Sequence, residues 1–371
     1  MVKTKKLFKI AIVTLSIVAA SIIILSVWIS RDDYVPKKLG NSVSAALNNR
    51  YGSSCSIVEN DKYIFYVNCV KDSFPLVRID KNSGEKKLLK IDIGDSDGSA
   101  LFIYKNTLIY TKSKDLGYSN RYYDIYSCDF DGKNKRLIKK KCNSPHMVID
   151  DWLYVPNDKG ALSRVSLING KEQTVNNKIC ERFIGINKKD NNLYFDKDFR
   201  KIIAIKINNR RTKFFLKNQS ANLSNKRWSG DAKNIFGILG VNEGELWLLG
   251  DNGHSLCSAK IADGKWKTKV IIGKAQGISF LLNSALEKNK VYYMNSDETT
   301  VYMYDINTGK SSEIYRTTNK NIKVLAVIGD NILISEWKKD DNHVNYYESV
   351  EDKAARHYYI NNSGKVLYEL D

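Results

Sequence analysis

The chain of 371 residues holds only four prolines, four histidines and four methionines. With 22 glycines beside them, so few prolines exclude a collagen-like or proline-rich polypeptide. The histidines are scattered at His146, His254, His343 and His357, and the six cysteines include no CxxC pair, so neither a zinc knuckle nor a redox dithiol can be assembled from local spacing. The catalytic signatures GxSxG, HExxH, GxxxxGK[ST] and GxGxxG are all missing. DIGDSDG, from Asp92, fails as a calcium loop, because aligning Gly98 with the invariant glycine puts Ile93 where the first carboxylate belongs. No metal and no cofactor is expected.

Arginine is also scarce. The net charge of +18 is carried by 46 lysines against 13 arginines. Phosphate and base recognition favour the arginine fork, whereas lysine supplies diffuse attraction to polyanions, so nucleic acid is not an expected partner. What is abundant is apolar and aromatic: 43% hydrophobic residues at a mean hydropathy of -0.39, with 22 tyrosines, 12 phenylalanines and 6 tryptophans. Such a chain buries a substantial core, and its aromatic content leans toward strands.

Ile10 to Ile29 contain no charge, and twelve of these twenty residues are Ile, Val or Leu. As a helix the segment is about 30 Å long, enough to cross a bilayer. Those twelve side chains favour insertion by roughly 4–7 kcal/mol, which outweighs Thr14, Ser16, Ser21 and Ser26. Lys3, Lys5, Lys6 and Lys9 precede it and Arg31, Asp32 and Asp33 follow, so the positive-inside rule keeps the basic tail, residues 1–9, in the cytoplasm and places the remainder outside. The apolar run is too long for a signal peptide and ends in no small-x-small cleavage site, which predicts an uncleaved anchor in the cell membrane. Residues 30–53 read as a tether, in which Ser42 to Asn49 fit one or two helical turns. Of the exported cysteines, Cys55 with Cys69 and Cys128 with Cys142 have equal separations compatible with local bridges, but six cysteines allow fifteen pairings.

A repeat fills residues 54–371. Apolar triplets recur as Ile64-Phe65-Tyr66, Leu108-Ile109-Tyr110, Trp152-Leu153-Tyr154, Leu193-Tyr194-Phe195, Leu246-Trp247-Leu248, Val291-Tyr292-Tyr293 and Ile332-Leu333-Ile334, with centres 41 to 53 residues apart. Before each lies a second apolar stretch, such as LFIYKN from Leu101 or VLAVIGD from Val324, and the pair reads as a hairpin. After each come two more strands around a turn, as in RIDKNSGEKKLL from Arg78 and YDINTGKSSEIY from Tyr304, where Gly provides the positive backbone angle. Four strands per unit at this period predict an all-β chain: a β-propeller of four-stranded blades, seven in number with six or eight as alternatives, preceded by the transmembrane helix.

The pieces TLIYTKSKD from Thr107, WLYVPND from Trp152 and VYYMNSDE from Val291, with the turn Asp129-Phe130-Asp131-Gly132, carry a family likeness. Residues 54–371 resemble the YWTD-type propellers of low-density-lipoprotein-receptor-like proteins, and more closely a related bacterial, membrane-anchored propeller family of unknown function. The strict YWTD tetrapeptide is absent, and the fourth and fifth repeats match poorly. The resemblance implies a binding scaffold without known chemistry.

On such a scaffold, function sits on the loops. Two are long: residues 112–124 hold Tyr118, Arg121 and Tyr122, and residues 218–234 hold Arg227 and Trp228. Aromatic and arginine side chains are the commonest interface anchors, so these five are the candidate binding residues, with Trp337, Asp340, Asp341 and His343 a weaker group. Lys139, Lys140 and Lys141 suit an exposed sheet edge, where charge blocks aggregation. The expected partners are the membrane and an extracytoplasmic protein or anionic envelope polymer. The alternative is an exported glycan hydrolase or lyase, whose paired carboxylates would meet only in three dimensions.

Overall fold

The fold is taken from a computed structural model, which describes Thr14, residues 16–22 and 43–45, and most of 57–370. Residues 69–74, 94–99, 115–121, 180–181, 198–200, 208–210, 215–227, 231–236, 251–253, 263–264, 274–277, 280–284, 339–355 and a few single positions lie outside that description. The chain divides into two units, Met1–Lys37 and Lys38–Asp371. In the first, Thr14 and residues 16–22 are helical and exposed. Among the described residues no helix is long and apolar enough to cross a membrane, and most of the expected span of 10–29 falls outside them.

The second unit is nearly all β. Its strands pair antiparallel in consecutive sets of four, and each of the seven sequence triplets lies in the second strand of a set. The first set comprises Ile57–Glu59, Tyr63–Val67, Pro75–Asp80 and Lys86–Asp92; the second Leu101–Tyr104, Thr107–Lys114, Tyr122–Asp129 and Arg136–Cys142; the third Met147–Ile149, Trp152–Pro156, Ala161–Ser166 and Glu172–Ile179. The fourth is Arg182–Asn187, Asn192–Lys197, Lys201–Lys206 and Arg211–Phe214, and the fifth Gly237–Asn242, Glu245–Gly250, Ser255–Ala262 and Lys265–Ile272. In the sixth, Ile278–Ser279 and Ala285–Glu287 both pair with Lys290–Asn295, followed by Thr300–Asp305 and Lys310–Arg316. The seventh is Lys320–Ile328, Asn331–Lys338, Arg356–Asn361 and Val366–Glu369.

A short turn chemistry recurs between third and fourth strands. The amide of Gly84 donates to the Asp80 carbonyl, Gly132 to Asp129, Gly170 to Ser166, Gly309 to Asp305 and Gly364 to Asn361, at 2.8–3.0 Å, and all five glycines have positive φ. The side chain at the head of the turn accepts as well: Asp80 Oδ1 from the Asn82 amide at 2.9 Å, Asp305 Oδ1 from Asn307 at 2.8 Å. Asx-type acceptors and glycine thus fix the turn, and the register of the strands follows from it.

Neither face of a four-stranded sheet is covered by the sheet itself, and the apolar clusters show what covers both. Ile109 and Ile125 of the second set pack with Val148, Leu153 and Val165 of the third. Tyr154 and Leu162 of the third meet Phe183, Phe195 and Ile203 of the fourth; Tyr194 and Ala204 of the fourth meet Leu246 and Leu248 of the fifth. Trp247 and Leu249 then meet Val291 and Tyr293 of the sixth, and Tyr292 and Met294 meet Ile332 and Ile334 of the seventh. The last cluster joins Leu325, Leu333, Tyr359 and Leu370 of the seventh set to Ile64, Phe65, Tyr66 and Leu76 of the first, and continues to Leu108 and Tyr110 of the second. Each fully buried Leu, Ile or Phe contributes about 1.5–3 kcal/mol, so every set depends on both neighbours for its stability.

This packing is cyclic. Hydrogen bonds seal the junction of the two ends: Tyr66 Oη donates to the Leu370 carbonyl at 2.6 Å, Tyr359 Oη to Glu59 Oε2 at 2.8 Å and Tyr368 Oη to the Lys81 carbonyl at 3.0 Å. Glu59 is also paired with Lys81 at 2.8 Å. A cycle of four-stranded antiparallel sheets is consistent with a β-propeller.

Three features depart from the simple repeat. Val43–Ala45, expected to be helical, is a strand added antiparallel to Met147–Ile149, on the free edge of the third set's first strand. Pairing satisfies that edge, which a single helical turn would leave open. The fourth and fifth sets merge through a parallel bridge, Gly185 to Val241, where a Cβ on Gly185 would lie 2.7 Å from the Val241 carbonyl. Finally, Cys128 and Cys142 are buried thiols rather than a local disulfide: Cys128 sits in the cluster shared with the first set and Cys142 in that shared with the third. Burial pushes both thiols up to about 12. Cys55, Cys69 and Cys180 lie outside the described residues.

Candidate functional site

In each set the connection from second to third strand, and the passage from fourth strand to the next set, leave at one end; the two hairpin turns leave at the other. Ser166, Gln173 and Asn187 are buried toward the hairpin-turn end, and more buried polar side chains lie toward the first end. The latter include Thr111, Ser113 and Asp124 of the second set, His146 and Ser163 of the third, Ser255 of the fifth and Thr300 of the sixth. The seventh set adds Lys323, Ser335, Glu336 and His357. The hydroxyls of Ser113, Ser163, Thr300 and Ser335 are buried without a hydrogen-bond partner, and all four lie at this end. Orphaned buried hydroxyls cost free energy unless water or a ligand group reaches them.

The seventh set carries the densest group. Lys323, Ser335 and His357 stand opposite one another on three adjacent strands, and none is more than 4% exposed. Opposed residues of an antiparallel ladder point to the same face with Cβ atoms about 4.5–5.5 Å apart. They share the face of Leu333 and Tyr359, which looks toward the first set. Glu336, one residue on, points to the other face. It accepts Tyr315 Oη at 2.6 Å and Lys320 Nζ at 2.8 Å, so it clamps the sixth set to the seventh. The Tyr315 hydroxyl is pushed up, first by burial and then by the Glu336 hydrogen bond, while the same carboxylate raises Lys320.

Glu298 completes the group. Its carbonyl accepts the Ile322 amide at 2.7 Å, holding the sixth set's connection against the seventh set's first strand. Burial raises its carboxyl above the ordinary range, an effect that the charge of Lys323 partly offsets. Lys323, Ser335, Glu336 and His357 are buried and Glu298 is partly buried. Among the described residues no three His, Cys, Asp or Glu side chains are placed to hold a metal ion.

Of the sequence candidates, Tyr122 opens the third strand of the second set, at the same end, with Lys141 Nζ 5.0 Å from its ring centroid. The carboxylate of Asp124 accepts the Lys141 amide at 3.0 Å, fixing the strand end beneath that contact. Tyr118, Arg121 and Arg227 lie outside the described residues, as do Asp340, Asp341 and His343. Trp228 begins a strand, Trp228–Gly230, that pairs parallel with the outermost strand of the fifth set, Trp228 opposite Trp266. Tyr122 and Trp228 thus belong to sets separated by two others in the cycle. The Lys323, Ser335 and His357 row escaped the sequence reading because three polar residues spread over 35 positions become neighbours only through strand register.

No family model and no curated protein sequence matches the chain. Solved structures do. A structure of YCF48 bound to D1 peptide superposes with a TM-score of 0.51 at 11% identity, covering 82% of this chain and 96% of that one. The computationally designed Ika8 protein gives 0.47 at 10% identity, over 90% and 89% of the two chains. An oligogalacturonate lyase in complex with manganese gives 0.42 at 12% identity, over 70% and 73%. At such identities the YCF48 likeness speaks for the propeller-like fold alone. The resemblance to YWTD-type propellers rests on the sequence pieces that carry it.

Proposed function

We propose that the chain is a seven-bladed β-propeller, anchored in the cell membrane by residues 10–29 and displayed outside the cell as a non-catalytic platform for a protein or an anionic envelope polymer. The observation that carries this reading is the cycle of packed sets, which returns from the seventh to the first. A rigid ring with long connections at one end is suited to present loops. The apolar run with basic residues on its N-terminal side supports the anchor. Tyr118, Arg121 and Tyr122 on one connection, and Arg227 and Trp228 on another, are the proposed contact residues, engaged as two separate patches.

The test is capture of the full chain, held in detergent, by detergent-washed cell envelopes at low and high salt. Alanine at Tyr118, Arg121 and Tyr122 together, or at Arg227 and Trp228 together, is expected to reduce salt-resistant capture at least tenfold, about 1.4 kcal/mol. Capture abolished by salt and indifferent to both variants would reduce the interaction to diffuse polyanion attraction. Cleavage of the polymer during incubation would support the hydrolase or lyase alternative.

A further inference from the structure

In the first, second, third and seventh sets the fourth strand, or the turn before it, carries exposed apolar side chains. Among the described residues of Lys38–Asp371, the exposed large apolar side chains are Leu88, Leu137, Ile168, Val366 and Leu367. Every one lies on a fourth strand, or on the turn before it, in the seventh, first, second or third set, which follow one another around the cycle. Leu88 and Ile168 are 58% and 61% exposed. Hydrogen bonds join these strands into one surface: Tyr368 Oη to the Lys81 carbonyl, Lys135 Nζ to the Lys90 carbonyl at 2.5 Å and Arg136 to the Ile168 carbonyl at 2.8 Å.

Lysine is interleaved with this apolar surface. Lys86, Lys90, Lys133, Lys140 and Lys171 are exposed on the same strands and turns. The neighbouring acids are held by other cations: Asp131 by Arg78 and Lys87, and Glu172 by Lys139. Glu85 stands exposed among the lysines and exposed Glu369 pairs with Arg356 at 3.3 Å, so the sector keeps an excess of lysine. A soluble polyanion would use the lysines alone. Leucine and isoleucine standing well out of the surface gain free energy only where they leave water, and apolar residues set among lysines are the pattern of a protein surface that lies in an anionic membrane interface.

We propose that this sector rests on an anionic lipid bilayer, with the lysines meeting headgroup phosphates and Leu88, Leu137 and Ile168 entering the acyl boundary. It adds a second membrane contact to the anchored reading and leaves the second-to-third-strand face clear for a partner. The contact does not depend on residues 10–29 spanning the bilayer.

Amide hydrogen exchange of the full chain, bound to vesicles of phosphatidylcholine alone or with phosphatidylglycerol added, tests the proposal, with flotation confirming equal vesicle association. In phosphatidylglycerol, amides of Lys86–Asp92 and Arg136–Cys142 are expected to exchange about fivefold or more slowly than in phosphatidylcholine, since each lysine near an anionic surface adds about a fivefold preference. Part of that protection is expected to survive high salt, and to be lost in the Leu88→Ser, Leu137→Ser, Ile168→Ser variant, whose melting temperature checks its fold. Equal exchange in the two vesicles overturns the proposal. So does equal protection by soluble polyglutamate, or full protection at high salt in the triple variant. Protection confined to the second-to-third-strand end would overturn it while sparing the binding-platform reading.

Discussion

Single residues decide how tightly the sets can meet. Gly84 and Gly364 both lie in the turn between third and fourth strands, in the first and seventh sets, with φ of 72° and 77°. A Cβ on Gly84 would meet nothing, whereas one on Gly364 would lie 2.1 Å from the Ile314 carbonyl of the sixth set. Alanine at Gly84 is therefore expected to cost about 1 kcal/mol for its backbone angle. At Gly364 the same angle penalty is joined by a displaced neighbour, about 3 kcal/mol or more in all, a difference that urea unfolding reads directly. Glu298 gives the opposite sign. Burial raises its carboxyl above the reference value of 4.5. Below that reference both folded and unfolded chains carry the proton and nothing is gained or lost; as pH rises past it the unfolded chain ionises first and stability falls until the folded carboxyl also ionises. Glu298→Gln is expected to raise the melting temperature at pH 7 and to leave it unchanged at pH 3.

At the scale of strands, much of the fold is legible in the sequence, for a physical reason. Second strands announce themselves as apolar triplets because both of their faces are covered, as with Ile64, Phe65 and Tyr66, all buried. The glycine turns are equally plain, since few residues accept their backbone angle. What the sequence hides is long-range. Val43–Ala45 is a strand because an open edge at Met147–Ile149 receives it, and Trp228–Gly230 because Lys265–Ile272 does; neither edge is visible in the segment that pairs with it. The row of Lys323, Ser335 and His357 is hidden likewise, because it forms only through strand register. One cross-ring contact tests the assembly of strands. Tyr359→Phe removes the hydroxyl that Glu59 accepts at 2.8 Å, and is expected to cost about 1.5–3 kcal/mol, the worth of a hydrogen bond to a charged group. In a Glu59→Gln background the same change should cost about 1 kcal/mol or less.

For the whole molecule the decisive property is closure. The clusters pass from set to set and return from the seventh to the first, so no set has a face that it can spare. An open array would behave differently: in a linear repeat protein, stability is nearly a sum of units and neighbouring interfaces, and loss of a terminal unit trims it. Loss of one set from a ring exposes two interfaces at once, here those lined by Tyr292, Met294 and Ile314 on one side and by Ile64, Tyr66 and Leu76 on the other. The measurement that tests this most directly is thermal unfolding of a chain ending at residue 319 beside the full chain, followed by circular dichroism and tyrosine fluorescence. Closure requires that the shortened chain lose its cooperative transition, or melt far below the full chain with the two probes no longer coincident. A single cooperative transition at the full-length temperature would contradict the ring.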